Sequence, residues 1–207
     1  SHQLDEPSRG FSTRLDGPLD LRMDRRQETT AAQLVNTAET SDLTRILRLY
    51  GELPNAQALA HAIINAREEK PIETTAQLRN AVNHLLPRGK ENKHLAMIFQ
   101  ALRIEVNGEL EALQQMLLQA AELLNEGGRL VVMSYHSLED RLVKNFMKAG
   151  NFEGTIQKDF FGNPQSPLHP VQSKALTASE EELQRNPRSR SAKLRVAEKV
   201  KVITRTN

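Results

Sequence analysis

No cysteine occurs among the 207 residues. That absence excludes disulfide scaffolds, thiolate zinc sites and a cysteine nucleophile, and it permits a reducing compartment. No apolar run approaches the roughly 20 residues of a membrane span, and no charged-then-apolar segment opens the chain. The sequence therefore reads as soluble and cytoplasmic. Neither a Walker-type loop nor a G-x-G-x-x-G fingerprint is present, so nothing in the chain cradles a nucleotide phosphate in the usual way. No two of the histidines lie at metal-ligand spacing, and no metal is expected. What is present suits one ordinary globular unit or two small ones. Hydrophobic positions make up 38%, and a chain of this length buries roughly 70% of its unfolded surface without needing staples. The chain opens on Ser1 with no start signal, as expected of a piece of something longer.

The net charge of +2 hides an asymmetry. From Asn186 to Asn207, seven basic residues face one acid, Glu198, so this end carries +6 and the rest −4. A basic end on a mildly acidic body suits a phosphate-rich partner, although a solvated, frayed terminus has the same composition. Leu194, Val196, Val200 and Val202 alternate with Lys193, Arg195, Lys199 and Lys201. This is the period of a half-buried strand with one cationic face.

Residues 1–28 read as a loop segment, with turn formers at Pro7, Gly10, Gly17 and Pro18. Residues 29–92 read as a bundle of short helices. Thr29 or Thr30 caps the first; Ser41 caps the second, with Leu43, Ile46, Leu47 and Tyr50 inward; Asn55 caps the third; Thr74 or Thr75 opens the fourth. Pro87 to Lys93 is a polar break and a candidate hinge before the segment 93–207. Helices follow from Leu95 to about Asn107 and from Glu109 to Leu124, the second ended by Gly127-Gly128. Arg129 to Ser134 reads as a strand buried on both faces, and Ser137 with Asp140 as a capping box for a helix running to about Ala149. Helix, glycines, buried strand and capped helix together form the grammar of a doubly wound α/β sheet. A further short strand is expected near Thr155 to Lys158.

The most informative segment is Met133-Ser-Tyr-His-Ser-Leu-Glu-Asp-Arg141. The carboxyl end of a strand in an open α/β sheet faces the ligand crevice, and here it delivers Ser134, Tyr135 and His136 beside a helix N-terminus. Either these groups face a substrate, or His136 and Glu139 satisfy one another and the loop. Asp16-Gly-Pro-Leu-Asp20 is a plain turn or a rigid loop over a crevice, in which carboxylates hold Arg22 for substrate contact. Asn186 to Lys193 combines hydroxyls with guanidinium groups, a mixture that binds phosphate oxygens but also occurs in polar loops.

Five blocks in order carry a resemblance: Gly10-Phe11, Asp16 to Asp24, Phe99 to Asn107, Gly127 to Arg141 and Asn186 to Lys199. Together they resemble the bacterial 16S ribosomal RNA cytosine-N4 methyltransferases of the MraW/RsmH type, from end to end of the chain. The resemblance implies a Rossmann-like methyltransferase sheet interrupted by a small inserted helical domain. It also implies S-adenosylmethionine as cofactor and, as substrate, the exocyclic amine of a cytidine in the decoding region of the small ribosomal subunit. Such enzymes begin with strands carrying a glycine-rich loop and an acidic residue for the ribose, and this chain starts after them. Of the family's cofactor positions only one is present, aligning with Gln3, so the chain alone is expected to be inactive. The alternative is a fragment that binds ribosomal RNA without catalysis. A third reading is a piece whose unpaired sheet edge favours self-association, as in a homodimer. The amine of cytosine is a poor nucleophile, because its lone pair is delocalised into the ring, and it needs positioning and an acceptor for its proton. Ser134, Tyr135 and His136 suit that task, while Arg22, Arg188, Arg190 and Lys193 suit RNA contact.

Overall fold

The computed structural model describes residues 7–13, 15–162 and 164–200. They form two compact units, divided after Glu109. The first is helical: α1 (Ala31–Thr37), α2 (Thr40–Leu49), α3 (Ala56–Glu69), α4 (Thr75–Val82) and α5 (Glu91–Asn107). Thr30 and Thr74 close capping boxes with Gln33 and Gln77, so each helix start has its first amides satisfied locally. The N-cap position of α2 is Glu39, two residues before the expected Ser41 cap, and the helix needs no side-chain cap because Leu43, Ile46 and Leu47 are buried along one face.

Of the expected break Pro87 to Lys93, Pro87 to Lys90 is a turn inside this unit rather than its border, and Glu91 to Lys93 already form the start of α5. Leu95, Ile98, Phe99, Ala101 and Leu102 of α5 lie in the same core as Leu43, Leu59, Ile63 and Leu78. The loop before α1 belongs to that core too, because Leu19 and Leu21 are each 1% exposed. It is pinned by Leu19 N donating to Glu73 O at 2.8 Å and Thr75 N to Gly17 O at 3.0 Å. Gly10, at φ +74°, lets the chain pass so close that a Cβ there would stand 2.2 Å from Pro18 O.

The second unit contains α6 (Glu109–Leu123, from Leu110), β1 (Arg129–Ser134), α7 (Ser137–Ala149), β2 (Leu168–Pro170), β3 (Leu176–Thr177), α8 (Glu180–Arg185) and β4 (Lys193–Lys199). It is a mixed α/β unit whose sheet has the order β1-β4-β2, with β3 also on β4. Every pairing is antiparallel: Val132 opposes Arg195, Ser134 opposes Lys193, Leu168 opposes Lys199 and Leu176 opposes Leu194. The last strand thus returns between two earlier ones, a long-range pairing that local grammar does not specify. Thr155 to Lys158 forms no strand; only Lys158 makes a bridge, to Pro164.

The core of this unit joins Leu117 and Ala121 of α6, Val132 of β1, Val143, Phe146 and Met147 of α7, Leu168 and Ala197. Phe152 stacks on Phe146 with ring centroids 5.2 Å apart. β1 is not buried on both faces: Val132 and Ser134 are buried, whereas Val131 and Met133 are 56% and 52% exposed. The strand therefore alternates, with one face against the core. Among the described residues, no helix is long and apolar enough to cross a membrane.

Candidate active site

β1 hands its last residue directly to the turn that opens α7. Ser134 is buried, and its Oγ lies 3.4 Å from the carbonyl of Lys193, its partner in the sheet register. Tyr135 follows with its side chain outward, 57% exposed, and its hydroxyl 3.3 Å from Met133 Sδ. His136 has extended backbone (φ −137°, ψ 165°) and is the N-cap of α7. Its Nδ1 accepts from Glu139 N at 3.4 Å, and its own amide donates to Glu139 Oε2 at 3.3 Å. The amide of Tyr135 reaches the same oxygen at 2.8 Å, and His136 Nε2 lies 3.4 Å from Glu139 Oε1.

The capping box is thus His136 with Glu139, one residue earlier than Ser137 with Asp140. The shift matters because it turns Asp140 towards β4. Asp140 Oδ1 accepts from Arg195 Nε at 2.7 Å, and Oδ2 accepts from Arg195 Nη2 at 3.1 Å and Lys193 Nζ at 3.0 Å. Burial pushes the carboxyl of Asp140 up, but the hydrogen bonds from Arg195 and Lys193 outweigh it and hold the group below the ordinary carboxylate value. With Glu139 and Asp140 both in its first turn, α7 already carries negative charge at its positive end. Another anion has little to gain there. A strand end lined by a hydroxyl and carboxylates suits an N–H donor such as an amine.

The alternation of β4 exists as expected, but its cationic face is turned inward. Lys193, Arg195 and Lys199 share the face of buried Ala197, and Lys199 Nζ donates to the carbonyl of Ala121. Their long stems pack while their heads meet acceptors. Leu194 and Val196 lie on the other face, opposite Met133 and Val131. Lys193, one of the expected RNA contacts, is therefore engaged by Asp140, with its side chain 44% exposed. Arg188 and Arg190 stand on the 3-10 turn Pro187–Ser191, both exposed. Since Ser134 pairs with Lys193, this turn leads into β4 at the end of the sheet where Ser134, Tyr135 and His136 emerge.

Arg22 lies in the helical unit. Its Nε and Nη2 donate to Asp20 at 2.6 and 3.0 Å, and its Nη1 donates to the carbonyls of Arg25 and Gln27. Of the two neighbouring carboxylates it is Asp20 that holds the guanidinium, since Asp24 pairs with Arg26 at 2.8 Å. The hydrogen bond to Arg22 keeps Asp20 below its ordinary value. The neighbouring Leu21 is buried at φ +61°, a left-handed conformation uncommon for a branched side chain. Gln3 lies outside the described residues. The Asp140–Arg195 pair was missed in the sequence, although a signal existed: Asp140, Val143 and Met147 fall on one helical stripe, so an acid sits among inward positions.

The chain matches the MraW methylase family over residues 1–200. A protein of Amoebophilus asiaticus named ribosomal RNA small subunit methyltransferase H is 57% identical over 199 residues, covering 96% of this chain and 64% of its own length. Proteins of the same name from Bacteroides fragilis and Cytophaga hutchinsonii are 55% and 52% identical, each covered over 66% of its length. The chain thus spans a little under two thirds of the length of these relatives.

Proposed function

The chain belongs to the MraW methylase family, and from that premise we propose that it forms the acceptor side of an S-adenosylmethionine-dependent methyltransferase. The substrate is the N4 amine of a cytidine in the decoding region of 16S ribosomal RNA. The family supports the reaction class, and the name shared by the relatives supports a small-subunit ribosomal RNA as substrate. In this reading the sheet is the C-terminal edge of a Rossmann-like sheet, with β4 running antiparallel between β1 and β2, and the helical unit is an insertion.

When bound, S-adenosylmethionine supplies an electrophilic methyl group. The described residues do not by themselves hold it. The β1–α7 junction carries Tyr135 and His136 in place of a glycine-rich turn, and amides at the start of α7 are engaged by the capping box. Gln3 is the cofactor contact assigned to this chain by resemblance. The chain's own residues instead receive the base. Tyr135 presents an exposed ring and hydroxyl, Ser134 and His136 flank it, and Glu139 fixes both the amide of Tyr135 and the imidazole of His136. An amine whose lone pair is delocalised gains most from being held in line with an acceptor near its proton, which a strand end fixed by a cap provides. Arg188 and Arg190 meet RNA phosphates beside it.

The observation that carries this reading is the register Ser134↔Lys193, which brings exposed Tyr135 and the exposed Arg188–Arg190 turn to one end of the sheet. Methylation kinetics of the full-length gene product on small ribosomal subunits test it. Tyr135→Ala is expected to lower kcat/KM about 100-fold, the scale of a misplaced reacting group, with Tyr135→Phe separating the ring from the hydroxyl. Wild-type kinetics in both variants would remove Tyr135 from the site.

A further inference from the structure

Between α7 and β2, set along β4 from the Ser134 end, lies a cavity of about 540 Å³. Leu168, Met147 and Val200 give it an apolar floor, and Lys144, Lys148, His169 and Arg195 contribute to its lining, which contains no acid. Lys144 and Lys148 stand four apart on α7, both exposed, and neither is held by a carboxylate among the described residues. One wall comes from both arms of a hairpin, through Ile156 and Pro164. That hairpin is tied by the Lys158–Pro164 bridge and by Gln165 N donating to Gln157 O at 2.8 Å.

The hairpin tip holds Phe160 and Phe161, 98% and 74% exposed. With Tyr135, they are three of the chain's eight aromatic residues that stand in solvent, and these two are more exposed than Tyr135. Their turn is an ordered one. Asp159 accepts from Phe161 N at 2.9 Å, and Gly162, at φ +88°, donates to Asp159 O at 3.0 Å. The two rings meet edge to face, centroids 5.6 Å apart. A turn closed by its own hydrogen bonds, holding two rings away from any core, makes sense when the rings meet a partner. The lysines beside it make that partner polyanionic.

We propose that the cavity and its aromatic tip form a binding site for unpaired RNA, in which a base stacks on Phe160 or Phe161 and the adjoining phosphates meet Lys144 and Lys148. Stacking platforms beside a cationic groove are how single strands are held without sequence reading. The site rests on the reading of the chain as part of an RNA-methylating enzyme, and it extends the RNA path beyond the strand end where the amine is received.

The test is fluorescence anisotropy of the full-length gene product with a labelled single-stranded oligoribonucleotide of about 12 nucleotides, within the span such grooves cover, at several salt concentrations. Phe160→Ala with Phe161→Ala is expected to weaken binding about 10-fold or more and to leave the salt dependence as in wild type. The Tyr pair at the same positions retains affinity. Lys144→Gln with Lys148→Gln is expected to lower the slope of log affinity against log salt by about 1.4, at about 0.7 per single-strand phosphate. All four side chains are exposed, and melts are expected to match wild type. Wild-type affinity in the Phe→Ala pair would overturn the site. So would a wild-type self-association that this pair abolishes while RNA affinity stays unchanged, since the rings would then serve a protein contact. Methyl transfer by the wild type is measured alongside. If it is absent while the Phe→Ala pair still loses RNA affinity, the enzymatic reading fails and the site stands.

Discussion

Arg195 of β4 and Asp140 of α7 form a two-point pair: Nε lies 2.7 Å from Oδ1 and Nη2 lies 3.1 Å from Oδ2, with side chains 14% and 10% exposed. The pair ties the last strand to the helix that begins at the candidate site, and Lys193 closes on the same carboxylate from the strand's first position. The helix start and the basic strand thereby become one electrostatic unit. Three predictions follow from this unit and one from the loop around Arg22.

Asp140→Asn leaves two cations facing a neutral amide in a part-buried place. The expected loss is about 2 to 3 kcal/mol, below the range for breaking a fully buried pair because Lys193 keeps solvent access. Denaturant unfolding of the full-length gene product measures it. A loss under about 0.5 kcal/mol, the size of an ordinary surface change, would contradict the pair's role.

The same carboxylate sets an acid dependence. Asp140 is held below its ordinary value of 3.8 in the folded state, so the folded protein binds its proton less readily than the unfolded chain. The stabilisation is complete above that value and is lost as pH falls through the folded one. Stability measured from pH 6 downward is expected to fall less steeply below about pH 4 in Asp140→Asn than in wild type. Parallel acid limbs would show that other carboxylates carry the effect.

Of the four basic residues assigned to RNA, three lie at the entry to β4, and two of these are expected to behave differently from the third. Arg188→Gln with Arg190→Gln removes exposed charges and should lower the slope of log affinity against log salt by about 1.4 to 1.8 while leaving the melting temperature unchanged. Lys193→Gln should lower the melting temperature and barely change the slope, because its ammonium meets Asp140. The reverse pattern would place Lys193 on the RNA and the arginines in the fold.

Asn107 closes the helical unit over the strained loop. Its Nδ2 donates to Leu21 O at 2.8 Å and its Oδ1 accepts from Met23 N at 2.6 Å, bracketing Arg22. Asn107→Ala leaves both backbone groups without that partner, and a loss of about 2 kcal/mol is expected. Thermal unfolding measures it, and an unchanged melting temperature would show that the loop holds its shape without Asn107.

Much of this was legible in the chain. Thr30 and Thr74 announced helix starts, the stripe Leu43, Ile46, Leu47 announced a buried face, and Arg129–Ser134 and the alternation after Lys193 announced strands that exist. The orientation of β4 was not legible. A period of two divides a strand into two faces without saying which is inward, and composition favours the wrong answer when the inward face carries Lys193, Arg195 and Lys199. Only the long-range acceptors Asp140 and Ala121 O reverse it. The cap of α7 slipped by one residue because Ser137 is the commoner cap type, whereas His136 performs the task through Nδ1 with Glu139 behind it. The antiparallel return of β4 between β1 and β2 is likewise a property of the whole chain, invisible in any window of it.

The most direct test of the account is the identity of the product. Small ribosomal subunits are incubated with the full-length gene product and methyl-labelled S-adenosylmethionine, and the RNA is digested to nucleosides. The account predicts label in N4-methylcytidine from 16S ribosomal RNA, and a marked loss of that label with Tyr135→Ala at unchanged melting temperature. Label in a different nucleoside, or transfer that proceeds at the wild-type rate in Tyr135→Ala, would contradict it.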